Sequence, residues 1–312
     1  MRLSALPLAL LILAGCPQPG PDPDPEPDPV ADPLDYAAAV SQAELEQTIA
    51  DLVAFGTRHT DTDGDEAARD YLVQRLEEYG YAPELDPFTA LGTPANNIIA
   101  RLPGTEDPDT VYLFSAHYDS TSSDPFVDAP GADDNATGVA AVLEAARILA
   151  GERFAATIWF VLTAAEEQGS LGSEHMAEWL DLQSIDVQGV IAPDMIGYWP
   201  LGDDDLMDIL GDEQSEHLVE QMASIADALG VANKTWVEHS YCYGDDHTNF
   251  QEAGFPAITP MDCVEAHNIA SSGEDTPHYH RTSDTIDTLH MPFTTSVVAV
   301  IVATLADLGA PR

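Results

Sequence analysis

Histidines and carboxylates recur in a few short stretches where they could do chemistry: His117-Tyr118-Asp119, Asp133-Asp134, Glu166-Glu167, Asp194 and His278-Tyr279-His280. No cysteine stands among them. Imidazole and carboxylate donors without thiolate suit a catalytic zinc better than a structural one. Carboxylates outnumber imidazoles, which fits two metal ions sharing a bridging carboxylate. Two adjacent glutamates can divide labour, one on a metal while its neighbour handles protons. Singly each piece is weak, since a Glu-Glu pair is ordinarily a solvated loop and Asp-Asp before Asn and Gly a turn. Their joint occurrence, in this order and each beside a buried strand, carries the inference.

Those strands are near-continuous apolar runs, as expected of strands covered on both faces. The run 111–116 leads into His117, 157–162 into Glu166-Glu167, and 187–192 into Asp194. Ligands of open α/β sheets bind at the carboxyl ends of strands. Shorter strands are expected at 97–102 and 257–260, and helices at 41–54, 64–79, 138–149, 172–182, 214–229 and 291–308. Strands alternating with helices imply an α/β fold: three layers, α/β/α, around a central, mostly parallel twisted sheet. The last helix is uncharged only over 291–306, below the roughly 18 residues of a membrane span, and reads as a core helix.

The chain has 312 residues with 55 acidic against 10 basic side chains, a formal charge of −45. Such a surface repels phosphate backbones, which excludes nucleic acid as a partner. Residues 1–15 read as an export signal, with Arg2 ahead of a short apolar run. Leu13-Ala14-Gly15-Cys16 resembles the lipobox of bacterial lipoproteins, in which the cysteine is acylated. Residues 16–33 then hold Cys16 and a linker in which eight of the seventeen residues after it are Pro and five are acidic, an extended spacer. The structured domain is expected to begin near Leu34 and run to residue 312. The expected location is the bacterial cell envelope, with the chain anchored to membrane through Cys16. Cys242 and Cys263 can pair in an oxidising compartment, with two free thiols as the alternative.

The stretches SAHYDS (115–120), PGADDNATG (130–138), TAAEEQGSLGS (163–173), PDMIGY (193–198), DDHTNFQEAGFPA (245–257) and HYHRTSDTIDTL (278–289) together resemble the co-catalytic di-zinc aminopeptidases of the secreted bacterial leucyl aminopeptidase type. Glutamate carboxypeptidase II and glutaminyl cyclases are relatives. The resemblance implies the zinc-peptidase fold and two zinc ions. One would be held by His117, Asp134 and Asp194, the other by Asp134, Glu167 and His280, with Asp134 bridging. It makes Glu166 the general base and acid, and Asp119 the acceptor that fixes the His117 tautomer. It also implies a cis peptide at Asp134–Asn135, and a transition-state role for Tyr241 or Tyr243. His247 is expected to order a loop and His278 to line the pocket rim; the remaining histidines are read as structural. Asp61–Asp65 reads as an exposed turn, since it lacks the twelve-residue calcium loop.

The implied reaction is hydrolysis of a peptide by metal-activated hydroxide, with Glu166 passing the proton to the leaving amine. A negative cleft suits a free α-ammonium better than a carboxylate, so an aminopeptidase is expected. It would be monomeric and prefer apolar first residues, because Met195, Ile196, Tyr198 and Tyr279 neighbour the ligands. A carboxypeptidase would need a cation, and only Arg281 lies beside a site motif. The alternatives are a glutaminyl cyclase or carboxypeptidase-type relative, or a zinc-less scaffold of the kind found in transferrin receptors.

Overall fold

The computed structural model describes residues 31–198, 206–237, 245–261 and 276–312. The predicted signal, Cys16, Tyr241, Tyr243, Cys242, Cys263, His239 and His267 lie outside them. The first described helix is the short α1 (Pro33–Ala37), capped by Asp32.

An eight-stranded sheet runs through the molecule in the order β1-β2-β4-β3-β5-β8-β6-β7. Its strands are β1 (Glu84–Ala90), β2 (Thr93–Leu102), β3 (Asp107–His117), β4 (Ala156–Thr163), β5 (Asp186–Ile191), β6 (Met207–Gly211), β7 (Asn233–Val237) and β8 (Ala257–Met261). The centre, β4-β3-β5-β8, is parallel throughout. The flanks add antiparallel pairs, β1 with β2, β2 with β4, and β6 with β8, while the edge strand β7 runs parallel to β6. The sheet is therefore mixed, with the expected parallel core.

The apolar runs of β3 and β4 split by residue parity, as a pleat with period two requires. Phe114, Ala116, Ile158, Phe160 and Leu162 face one core. Val111, Leu113, Trp159 and Val161 face another. Over the first pack α2 (Gln42–Val53), α3 (Asp63–Glu78), α4 (Gly138–Leu149), α6 (Glu216–Leu229) and α8 (Met291–Gly309). Over the second pack α5 (Leu171–Gln183) and α7 (Asp246–Glu252), through Met176, Ala177, Leu180 and Phe250. These are the three layers.

Helix α8 is apolar enough to cross a membrane by length and composition. In the structure Val297, Val298, Ile301, Val302 and Leu305 are instead sealed in the larger core, as the sequence reading expected.

Candidate metal centre

The parallel strands β3, β4 and β5 end side by side, and His117 pairs in register with Thr163. Four segments leave this edge or cross it. His117–Ser120 continues β3, and residues 164–170 turn from β4 into α5. Asp194 follows β5. Ala132–Thr137, a turn broken by non-helical backbone at Asp134 and Asn135, leads into α4. A fifth segment, residues 276–284, brings in His280.

The sequence-predicted ligands meet there. His117 Nε2 lies 3.3 Å from Asp134 Oδ1 and 3.3 Å from Asp194 Oδ2. His280 Nε2 lies 3.3 Å from Asp134 Oδ2 and 3.0 Å from Glu167 Oε2. The two oxygens of Asp134 thus face different histidines, the arrangement a bridging carboxylate needs. Within each triad, His117–Asp134–Asp194 and Asp134–Glu167–His280, the ligand atoms lie within 4.8 Å of one another. His117 Nε2, Asp194 Oδ1 and Glu167 Oε1 are closed to solvent and have no hydrogen-bond partner. Buried lone pairs without donors are costly. Convergent ones, in a nitrogen and oxygen donor set, fit zinc.

Electrostatics agree. Burial pushes the Glu167 carboxyl up to about 8, helped by the charge of Asp134, and pushes Asp194 up to about 6. Glu166 is also held well above the ordinary range, by burial and then by Asp246, Asp194 and Glu167. Burial opposes the charged form of His117, but Asp194, Asp119 and Asp134 outweigh it and raise its pKa. So many acids packed away from water call for a cation.

Glu166 is aimed by its neighbours. Ser170 Oγ donates to its Oε1 at 2.8 Å. Asp119 accepts from the Glu166 N–H at 3.0 Å and from the Glu167 N–H at 3.2 Å, so one carboxylate holds the whole Glu-Glu turn. With its oxygens engaged there, Asp119 stands 3.6 Å from His117 Nδ1, while its main-chain carbonyl is nearer at 3.2 Å. Both ends of Asp119 therefore face site residues, and the carbonyl is the closer acceptor for the imidazole.

The turn carrying Asp134 contains a cis peptide at Asp134–Asn135, as the resemblance implies. Asn135 donates to the Pro193 carbonyl at 2.9 Å, tying this turn to the exit of β5. Asp133 faces away from the triads: it accepts from the N–H groups of Gly197 at 2.8 Å and Tyr198 at 3.2 Å, and so shapes the Asp194 loop. At Gly131, φ is +54°, and a Cβ would collide with the Asp134 carbonyl and with Ser120 Cβ at 2.6 Å.

Two supporting residues escaped sequence reasoning. Arg58 is wholly buried and donates to the carbonyls of Tyr118 (2.8 Å), Pro130 (2.6 Å) and Gly131 (2.9 Å), clamping two of the site loops. Asp284 accepts from the N–H groups of Asp133 (2.9 Å) and Asp134 (3.1 Å). Each is satisfied by main chain far away in sequence, which leaves no local pattern to find.

A cavity of about 260 Å³ opens on the site, lined by Glu166, Asp194, Met195, Asp245, Tyr279 and His280 among others. Met195 and Tyr279 therefore line it as expected, with the Tyr279 ring stacked on His280 at 3.7 Å. Ile196 instead lies in the core, and Tyr198 packs edge-on against His278. His247 is buried in the first turn of α7 and belongs to neither triad. His175 meets Asp86 at 3.2 Å, and His290 caps α8.

Comparison with known proteins follows the same lines. The sequence profile of peptidase family M28 matches residues 97–305. A probable zinc metalloprotease of Pyrenophora teres f. teres is 30% identical over 86% of this chain and 67% of its own length. One from Pyrenophora tritici-repentis is 30% identical over 88% of this chain and 76% of its own. Among solved structures, LapA of Legionella pneumophila superposes with a TM-score of 0.75 at 23% identity, covering 89% of this chain and 76% of that one. The glutaminyl cyclase of Porphyromonas gingivalis gives 0.71 at 22% identity, covering 86% and 99%. These likenesses establish the fold.

Proposed function

The chain belongs to peptidase family M28, and on that premise we propose that it is a zinc-dependent aminopeptidase removing apolar first residues from peptides. The observation that carries this reading is Asp134, whose two oxygens each meet a different histidine inside a carboxylate-rich cavity. His117, Asp134 and Asp194 would hold one zinc, and Asp134, Glu167 and His280 the other. Bound there, zinc polarises the scissile carbonyl and lowers the pKa of water.

The chain's own residues do the rest. Glu166, desolvated and held by Ser170 and Asp119, takes the proton from the attacking water. It then returns that proton to the leaving amine. Asp119 keeps Glu166 and Glu167 in one rigid turn, so the base and the ligand cannot drift apart. Asp133 and Asn135 hold the Asp194 loop against the bridging turn. Among the described residues lining the cavity there is no Arg or Lys to receive a substrate carboxylate, which favours an amino-terminal exopeptidase over a carboxypeptidase.

The experiment compares leucyl-p-nitroanilide with its N-acetyl form on zinc-loaded protein. Cleavage of the free amine alone supports the reading; cleavage of both, or of the acetylated form only, overturns it. Cyclisation of an amino-terminal glutamine without leucyl-p-nitroanilide cleavage selects the cyclase instead.

The same proposal extends to the cell. The residues at the amino terminus support a lipoprotein anchored through acylated Cys16 at the envelope, held off the membrane by the Pro/Asp-rich linker. It would act as a monomer with a Cys242–Cys263 disulfide. Loss of fatty-acid labelling in Cys16→Ser checks the anchor.

A further inference from the structure

An enzyme that reads a free amine needs an anion aimed at it, and two acids in the cavity belong to neither metal triad: Glu166 and Asp245. Asp245 immediately precedes α7. That helix is registered against the catalytic turn, because Asn249 Nδ2 donates to the Ser170 carbonyl and to Ser173 Oγ, each at 2.8 Å. Ser170 in turn holds Glu166. The adjacent Asp246 turns towards the end of β4, where it accepts from Thr163 Oγ1 at 2.5 Å. Asp245 lines the cavity instead, and its Oδ2 is closed to solvent without a hydrogen-bond partner. It stands at the N-cap position of α7, yet its side chain makes no cap bond. An aspartate so placed ordinarily satisfies the helix N–H groups; this one leaves an oxygen unsatisfied beside the metal triads.

We infer that Asp245 anchors the substrate's α-ammonium group, an assignment that rests on the aminopeptidase reading. The charge balance of the cavity points the same way. Asp134, Asp194 and Glu167 would face two dications, leaving a small positive excess that ionised Glu166 offsets. Burial and then the neighbouring Asp194 hold the Asp245 carboxyl well above its ordinary range, so its ionised form calls for a cation beside it, and no Arg or Lys among the described lining residues supplies one. The substrate ammonium supplies that charge, in a desolvated and charge-assisted contact of the strong kind. An acylated amino terminus has lost the charge and leaves Asp245 uncompensated, so Asp245 also rejects blocked peptides.

Asp245→Asn keeps the shape and drops the charge. Asp245→Ser drops the charge while supplying a residue that caps helices well, which protects α7. Each is compared with wild type as zinc-loaded full chain. The readouts are KM and kcat for leucyl-p-nitroanilide, zinc content, and calorimetric affinity for L-leucine and for 4-methylpentanoate, which has the same side chain without the amine. The anchor predicts a KM raised about 10- to 100-fold with kcat far less affected. It predicts an equal loss of leucine affinity, with 4-methylpentanoate affinity and zinc content unchanged. Unchanged leucine affinity in both variants overturns the anchor, and so do equal losses for leucine and 4-methylpentanoate. Wild-type protein that does not cleave the free-amine substrate overturns the aminopeptidase reading and the anchor with it. Active wild type with unaltered variants overturns the anchor alone.

Discussion

Replacing Asp284 with Ala removes the acceptor that holds the backbone of the bridging aspartate. Its Oδ1 accepts from the Asp133 N–H at 2.9 Å, and its Oδ2 accepts from the Asp134 N–H at 3.1 Å. Both donors are buried, and Asp284→Ala leaves them unsatisfied at a cost of about 1–3 kcal/mol each. Together that is roughly 2–6 kcal/mol, against a total stability on the order of 5–15 kcal/mol for a domain. At about 2 °C per kcal/mol for a domain of this size, the melting temperature falls by roughly 4–12 °C. Asp284→Asn keeps one oxygen acceptor and should lose less than half as much. The metal site adds a second signature. Asp134 belongs to both triads, so disturbing its backbone weakens both ions together, by about 10- to 100-fold, in chelator competition. Calorimetry and the chelator assay read the two effects independently. A melting temperature shifted by less than about 1 °C, with zinc affinity unchanged, refutes the reasoning that Asp284 positions Asp134.

Further outcomes follow from the same geometry. Glu166→Gln should retain zinc and lower kcat by about 10²–10⁴, since only the proton carrier is lost; metal analysis beside steady-state kinetics checks it, and wild-type turnover sinks the base assignment. His280→Ala should shed one zinc and keep the other, because the His117–Asp134–Asp194 triad is untouched; loss of both ions, or of neither, contradicts the two-triad account. Burial, aided by neighbouring acids, holds Glu167 up to about 8 and Asp194 up to about 6 in the metal-free protein, above the unfolded values of about 4.3 and 3.9. The native state therefore binds more protons between those limits, and metal-free stability falls as pH rises from about 4 to 8. Zinc takes the ionised groups, so its binding releases protons and tightens over the same window. Thermal melts at pH 5 and 8, with and without chelator, test this, and a metal-free protein more stable at pH 8 contradicts it.

The parts of the site legible in the sequence were those that follow buried parallel strands. His117, Glu166, Glu167 and Asp194 each come within a few residues after an apolar run, and such runs announce both the strand and the sheet edge where it stops. The helices around them carried clear spacing, and α4 begins and ends where expected. Elements at the flanks were not legible. Strand β1 is half exposed and contains Pro87, and β6 and β7 are only five residues long, too short for alternation to show. The antiparallel pairs β1–β2, β2–β4 and β6–β8 make the sheet mixed, while β7 runs parallel to β6. Helix α7 spans seven residues and hid inside a motif that the resemblance assigned as a whole. Arg58 and Asp284 were missed for a common reason. Each acts through partners distant in the chain, which composition and periodicity do not encode. Asp119 was placed by the resemblance as a partner of His117, yet its stronger role, holding the Glu166–Glu167 turn, needed the backbone geometry to be seen.

The central claim is a pair of zinc ions sharing Asp134. Anomalous diffraction from crystals of the zinc-loaded protein, recorded on both sides of the zinc absorption edge, tests it most directly. The account predicts two peaks, one among His117, Asp134 and Asp194, the other among Asp134, Glu167 and His280, with an Asp134 oxygen on each. A single peak, or peaks away from Asp134, would contradict it.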